Sequence, residues 1–216
     1  MRWILLVFPC FLVAQSQVPL DAAYRFTDGV YLTHAALLAN RPEVDWSDIR
    51  GEMVQLAQDN RLQIEDFGYK SGDRTDTPYA VALDGTLYFF VQADPRRGFH
   101  EFSGLQVVGR YSTMTYDTTV QMRRLMKAYN PATGRAFREA WVERDQRKSV
   151  TRIIDMTTGE RQALDQSTVA RLVVGESDLA GALDRVSPDA TAKLLRALEI
   201  YNDRRPLLLP PRQANR

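Results

Sequence analysis

His34 and His100 are the only imidazoles in the chain, and Cys10 is its only thiol. Metal binding and nucleophilic catalysis both need more than this in one place. Neither histidine stands in a His-x-x-x-His or His-Glu-x-x-His spacing, and one cysteine makes no thiolate site. No metal-ligating set and no cofactor is expected. No Gly-x-Ser-x-Gly elbow occurs: Phe102-Ser103-Gly104 supplies half of one, and Gly175-Glu176-Ser177 sits where helix capping explains the serine. Gly98, Gly104 and Gly109 lie too far apart for a dinucleotide loop. His34 follows a capping threonine and is expected to be exposed on a helix. His100 is expected to be a surface strand histidine. The acids Glu65, Asp66, Asp73, Asp76 and Asp94 fall in or near expected loops. A hydrolase of glycan or peptide would need two of His34, Glu65, Asp66, Asp94, His100 and Glu101 in one cleft, because paired catalytic carboxyls stand within about 9.5 Å of each other.

Binding chemistry is better represented. Tyr88, Phe89, Phe90, Phe99, Phe102 and Tyr111 surround Arg96, Arg97 and Arg110. Rings interleaved with arginines can stack on single-stranded nucleic acid. Strand alternation turns only some of these rings outward, however, and the charge balance opposes a polyanionic partner. The candidate interaction surface is therefore Phe89, Arg96, Arg97, Phe99, His100, Phe102, Arg110 and Tyr111, facing a partner protein or ligand, with no nucleic acid expected. Burial of Phe89, Phe99, Phe102 and Tyr111 would remove it. A third reading, a small ligand inside a curled sheet, requires a cavity of roughly several hundred Å³.

The elements that must position these groups begin after an apolar head. Arg2 precedes an unbroken apolar run, Trp3–Ala14, and Ala14-Gln15-Ser16 offers small residues for cleavage. This is the order of a signal peptide, and twelve apolar residues span only about 18 Å as a helix, too short for a hydrocarbon core of about 30 Å. An exported protein, periplasmic or secreted, is expected. Lipidation at Cys10 is disfavoured by Phe8-Pro9 before it. Arg2 is the single charge in the head, so its removal brings the 28 Lys and Arg level with the 27 Asp and Glu, a formal net charge of zero. Such a chain has no general attraction for nucleic acid or an anionic membrane, though local patches are not excluded. The remaining 17–216 contain no cysteine and must form one ordinary domain with a Pro-rich tail at 206–216.

Asp28-Gly29 marks a turn, Val30–Leu32 a short strand, and Thr33 the cap of a helix ending at Asn40 and Pro42. Asp84-Gly85 between Tyr79–Leu83 and Thr86–Val91 predicts a tight hairpin. Strands are expected in 98–102, 105–111, 137–143 and 150–156, the last turning at Thr157-Thr158-Gly159. Residues 116–129 fit either a helix or a strand; a strand returning through Asn130–Gly134 is preferred. Helices follow: Val169, Leu172 and Val173 share one face, Ser177-Asp178 recaps after Gly175, and Ser187-Pro188-Asp189 opens a last helix with Leu194, Leu195, Leu198 and Tyr201 as its stripe. The expected fold is α+β, a curled antiparallel sheet with a short N-terminal helix and two or three C-terminal helices packed on it.

Three segments carry a resemblance. Asp28-Gly-Val-Tyr31-Leu-Thr, closing in Asn40-x-Pro42, comes first. The Tyr79–Tyr88 hairpin with Val108-Gly109-Arg-Tyr111 follows. Ile154-Asp-Met-Thr-Thr-Gly159 with Tyr201-Asn202-Asp-Arg-Arg-Pro206 ends the set. Together they resemble a group of exported Gram-negative proteins of unknown function. Residues 112–145 match nothing in that group. The resemblance implies an envelope or secreted location and brings no catalytic residues. At its recurring positions the physical reading is fold specification: Gly29 and Gly85 permit turns, Tyr31 and Tyr88 bury rings with wet polar tips, and Asn40, Pro42, Asn202 and Pro206 close helices.

Overall fold

Apolar–polar alternation between turn residues makes the middle of the chain antiparallel sheet, and the structure, a computed structural model, describes residues 17–94, 98–183 and 190–213. The expected signal peptide, Arg96 and Arg97, and the Ser187–Asp189 cap lie outside the described residues. The elements run β1 (Val18–Pro19), β2 (Gly29–Tyr31), α1 (His34–Leu38), β3 (Ile49–Leu56), β4 (Arg61–Tyr69), β5 (Ala80–Leu83), β6 (Thr86–Asp94) and β7 (Phe99–Val107). They continue as β8 (Tyr111–Tyr129), β9 (Ala136–Asp155), β10 (Arg161–Ala163), α2 (Gln166–Leu172), α3 (Ser177–Leu183), α4 (Thr191–Arg204) and β11 (Leu208–Leu209).

The main sheet has the order β10-β9-β8-β7-β6-β5-β2 and is entirely antiparallel in its pairings. It curls strongly into a half-barrel. Asp84 and Gly85 both have positive φ, 52° and 76°, as the two-residue hairpin turn requires. The expected runs 98–102 and 105–111 are largely one strand, β7, and 137–143 and 150–156 belong to the single strand β9. Residues 116–129 are strand, and they return through Asn130–Gly134 with Gly134 at φ 63°. The segment 49–69 is a β3–β4 hairpin, so Glu65 and Asp66 lie within a strand, contrary to the loop expectation.

β7 is a fork. Its first half pairs with β4 from Phe99 to Ser103; its second half pairs with β8 at Leu105 and Val107. Asn60 holds the crotch: its carbonyl accepts from Gly104 N at 2.8 Å, and its side-chain amide donates to Leu105 O at 3.0 Å. A Cβ at position 104 would collide with the Asn60 side chain, which is why glycine sits in mid-strand.

Three apolar clusters fill the body. One gathers Tyr31, Leu37, Phe89, Met114 and Ile154 inside the curl; another seats α2, α3 and α4 on Val107, Tyr111 and Ile153; the third holds Val30, Leu62, Ile64, Tyr88 and Phe102 beneath β3 and β4. α4 is fastened by Asn202, whose Oδ1 accepts from Tyr111 N at 2.9 Å and whose Nδ2 donates to Tyr111 O at 3.0 Å. Gly109 leaves the space this approach needs. Asn202 lies within α4, whose C-cap is Arg205, so it fastens the helix to the sheet and does not close it as expected.

Asn40 is the second polar knot. Fully buried at φ 48°, it accepts from Thr27 N at 2.8 Å and donates to Pro210 O at 3.3 Å. The Tyr31 hydroxyl lies 2.7 Å from Thr27 O and 2.9 Å from Asn40 Oδ1. Its tip is dry, a correction to the wet-tip expectation, and burial pushes its pKa up. Tyr24 OH donates to Pro210 O, Arg212 pairs with Asp28 at 2.7 Å, and β11 pairs with β1. The tail from Pro206 to Gln213 is thus tied to the body.

The β8–β9 ribbon is the exception to this layered packing. β7 reaches β8 only as far as Met114, and β10 reaches β9 only as far as Arg152. From Tyr116 and Val150 outward the two strands pair with each other alone, for about 45 Å at 3.4 Å per residue.

Candidate functional site

The tip of the β6–β7 hairpin separates two clefts. Strand alternation sends His100 and Phe102 to one face and Phe99, Glu101 and Ser103 to the other. On the first face, Arg50, Asp66, Phe67, Asp94, Phe99 and His100 line an open cleft of about 590 Å³. On the second, Arg61, Gln63, Gln92, Glu101, Asp117 and Arg147 are among the residues lining a cleft of about 330 Å³. Ala93, Asp94 and Phe99 border both.

The first cleft has an aromatic floor. The His100 ring lies 4.7 Å from Phe67 and 5.8 Å from Phe90, centroid to centroid. Its Nδ1 is buried and has no hydrogen-bond partner among the described residues. Desolvation lowers the imidazole pKa, so the ring is neutral near pH 7. This is not the surface histidine expected. Asp66 has φ 49° and its N–H donates to Gly98 O at 2.7 Å, an irregularity at which β4 leaves β7. Asp66, Asp94 and His100 thus share one cleft, while Glu101 faces the opposite side.

The second cleft is polar and rests on an ionic network with one buried member. Glu101 is 5% exposed. Its Oε2 accepts from Gln92 Nε2 at 2.9 Å and its Oε1 lies 3.3 Å from Arg61 Nη1. Arg61 Nη2 then reaches Asp117 Oδ2 at 2.9 Å, at the root of the ribbon. Burial works against the Arg61 charge, yet Asp117 and Glu101 hold its pKa above the ordinary value. The fork creates this arrangement: it brings β4, β6, β7 and β8 within reach of one carboxylate while leaving a gap between β4 and β8. Thr118, Thr119 and Gln63 complete a wall of hydroxyl and amide groups, with Phe99 at the rim.

The expected aromatic–arginine surface is mostly interior. Phe89 and Phe102 are fully buried and Tyr111 is buried; Phe99 and His100 are half-buried. Arg110 lies over the Tyr111 ring at 5.6 Å. Alternation explains the correction: the rings of β6 and β7 point into two apolar clusters, and only the tip carries rings to solvent. His34 is not the exposed position expected either. Its Nε2 lies 3.0 Å from Met156 O, its ring meets Tyr79 edge-on at 5.7 Å, and it occupies space beside Gly159 that a Cβ would take. It lines neither cleft.

Several of the recurring motif positions named from the sequence make structural contacts. Asp28 Oδ1 accepts from Gly85 N at 2.7 Å, Gly29 packs on Pro42, and Tyr88 OH accepts from Gln55 at 2.8 Å. Tyr201 stacks on Tyr111 at 5.2 Å. Among the described residues no group of three or more His, Cys, Asp or Glu is placed to hold a metal, and no helix is long and apolar enough to cross a membrane. No family model, no curated protein and no solved structure matches the chain.

Proposed function

We propose that this is an exported, non-enzymatic binding module whose ligand seat is the polar cleft at the β7 fork. One observation carries the reading: an ionic network running from the buried Glu101 through Arg61 to the more exposed Asp117 underlies a cleft walled by hydroxyl and amide side chains. A buried ionic network is weak support for stability, because desolvation of its charges offsets their attraction. Ordered donors and acceptors at the bottom of a cleft do suit a polar, hydroxyl-bearing ligand, with the half-buried Phe99 ring as a platform at its edge. Export rests on the apolar head followed by Ala14-Gln15-Ser16. Calorimetric titration of soluble oligosaccharides and short polar peptides tests the seat. Binding should fall at least about tenfold in Glu101→Gln and in Phe99→Ala, as expected for removal of one charged hydrogen-bond partner or one ring. Binding unchanged in both variants rejects the cleft.

A second reading is favoured by a different observation, the convergence of Asp66, Asp94 and His100 on the first cleft. It is the envelope hydrolase of glycan or peptide, with a carboxylate as the working group. Turnover of an oligosaccharide or peptide that disappears in both Asp66→Asn and Asp94→Asn would replace the binding reading; turnover surviving both would remove the hydrolase.

A further inference from the structure

The ribbon carries its charges in a pattern that cross-strand register makes legible. Residues directly opposite each other share a face. On one face stand all four acids of the segment 116–150, Asp117, Glu139, Glu143 and Asp145. There Lys127 is opposite Glu139 and Arg123 opposite Glu143, and the Lys127–Glu139 pair closes to 2.8 Å. The other face has no carboxylate. Arg144 is opposite Met122, Arg124 opposite Val142, Arg138 opposite Ala128, and Lys148 opposite Thr118. All four cations are exposed, and so are Met122 and Met126, at 52% and 43%. The near-balanced charge of the chain as a whole, +1, therefore hides a cationic and apolar strip.

The strip must be covered by something that answers both properties. A second copy is disfavoured, since two carboxylate-free cationic faces repel. A duplex nucleic acid answers the cations but leaves Val120, Met122, Met126 and Val142 against phosphate. An acidic protein is disfavoured by area: a ribbon face about 10 Å wide and 45 Å long offers about 450 Å², roughly half of what a stable interface buries per partner. An anionic lipid surface presents phosphates beside acyl chains, demands no matching shape, and adds its attraction cation by cation.

We infer that the Met122–Arg144 face of the β8–β9 ribbon is a docking surface for anionic lipid headgroups, with the methionines entering the interface. This goes beyond the ligand cleft and does not depend on it. The test is flotation of the whole chain with vesicles of phosphatidylcholine alone or mixed with phosphatidylglycerol. All variants share the apolar head, so differences between them report the ribbon. Binding is expected to be stronger to the mixed vesicles, and that excess to fall steeply as salt rises from roughly 0.1 M to roughly 0.5 M. The triple variant Arg124→Glu, Arg144→Glu, Lys148→Glu should lose at least about tenfold in affinity. Met122→Ser with Met126→Ser should lose at least about threefold, and Arg123→Glu on the opposite face should stay within about twofold. Equal binding to both vesicle types, or triple and methionine variants that bind like the parent, overturns the proposal. So does tighter binding to duplex DNA than to the mixed vesicles.

Discussion

The body and the ribbon are made of the same kind of strand, yet only one of them has an inside. In the body the central strands have a second layer: helices on Ile153, the curled sheet on Phe89, the β3–β4 hairpin on Phe102. The ribbon has paired strands, in continuous register as far as Ala128, and no second layer, with Trp141 at 59% and Tyr129 at 58% exposure. The contrast separates two contributions that are usually entangled. Ladder hydrogen bonds define a shape; burial of apolar area supplies most of the net stability. An isolated two-stranded hairpin is marginal in water, so the ribbon is held from its root, where Thr115 and Thr151 hydroxyls meet at 2.8 Å.

Phe102→Ala, which empties a fully buried site shared by β4 and β7, gives the largest expected effect. Chemical denaturation should show a loss of about 3–5 kcal/mol. Asn202→Ala comes next. It leaves both main-chain polar groups of Tyr111 buried without partners, and about 2–4 kcal/mol should be lost while the sheet spectrum persists. A smaller effect belongs to His100. The folded state holds this ring neutral, so the unfolded chain takes up a proton first and stability declines as pH falls below about 6.5. His100→Phe should flatten that decline between roughly pH 7 and pH 5.5, read from denaturation midpoints, while leaving the stability at pH 8 little changed. The smallest effects belong to the ribbon: Met122→Ala and Trp141→Ala should each shift stability by less than about 0.5 kcal/mol. Ribbon amides beyond Val120 should also exchange hydrogen well before those of β5, β6 and β7. A ribbon substitution as costly as Phe102→Ala would end the distinction between the two regions.

The same distinction explains what could be read from sequence. The β5–β6 hairpin was legible because Asp84-Gly85 is a local signal and Val81, Tyr88 and Phe89 are buried. Residues 116–129 stayed ambiguous because both faces of the ribbon meet water, so apolar residues are under no obligation to alternate. β3 escaped notice for a related reason: Met53 and Val54 are both exposed neighbours, which erases the period. Most rings of the aromatic–arginine surface turned out interior because composition counts rings without saying which way a strand turns them. The polar cleft was only half visible. Glu101 stood among the candidate residues, but Arg61, Gln92 and Asp117 come from three other strands and share no spacing with it. Gly104 was the available clue, since a glycine in mid-strand marks a close approach of another backbone or side chain. Here that approach is Asn60, at the crotch of the fork.

The pairing of β1 with β11 has a mechanical consequence. Val18 lies opposite Leu209 and Pro19 opposite Leu208, so the two ends of the described chain leave the body side by side. A load applied at residues 17 and 213 would not shear the main sheet. From residue 213 it would peel the seam one contact at a time: Gln213 from Thr27, Arg212 from Asp28, then Pro210 from Tyr24 and Asn40, while the pull at residue 17 opens the short β1–β11 pair from its other strand. A tether at these ends would therefore act as a weak zipper ahead of a strong body. In a pulling experiment the seam should open at low force, before any strand of the curled sheet gives way.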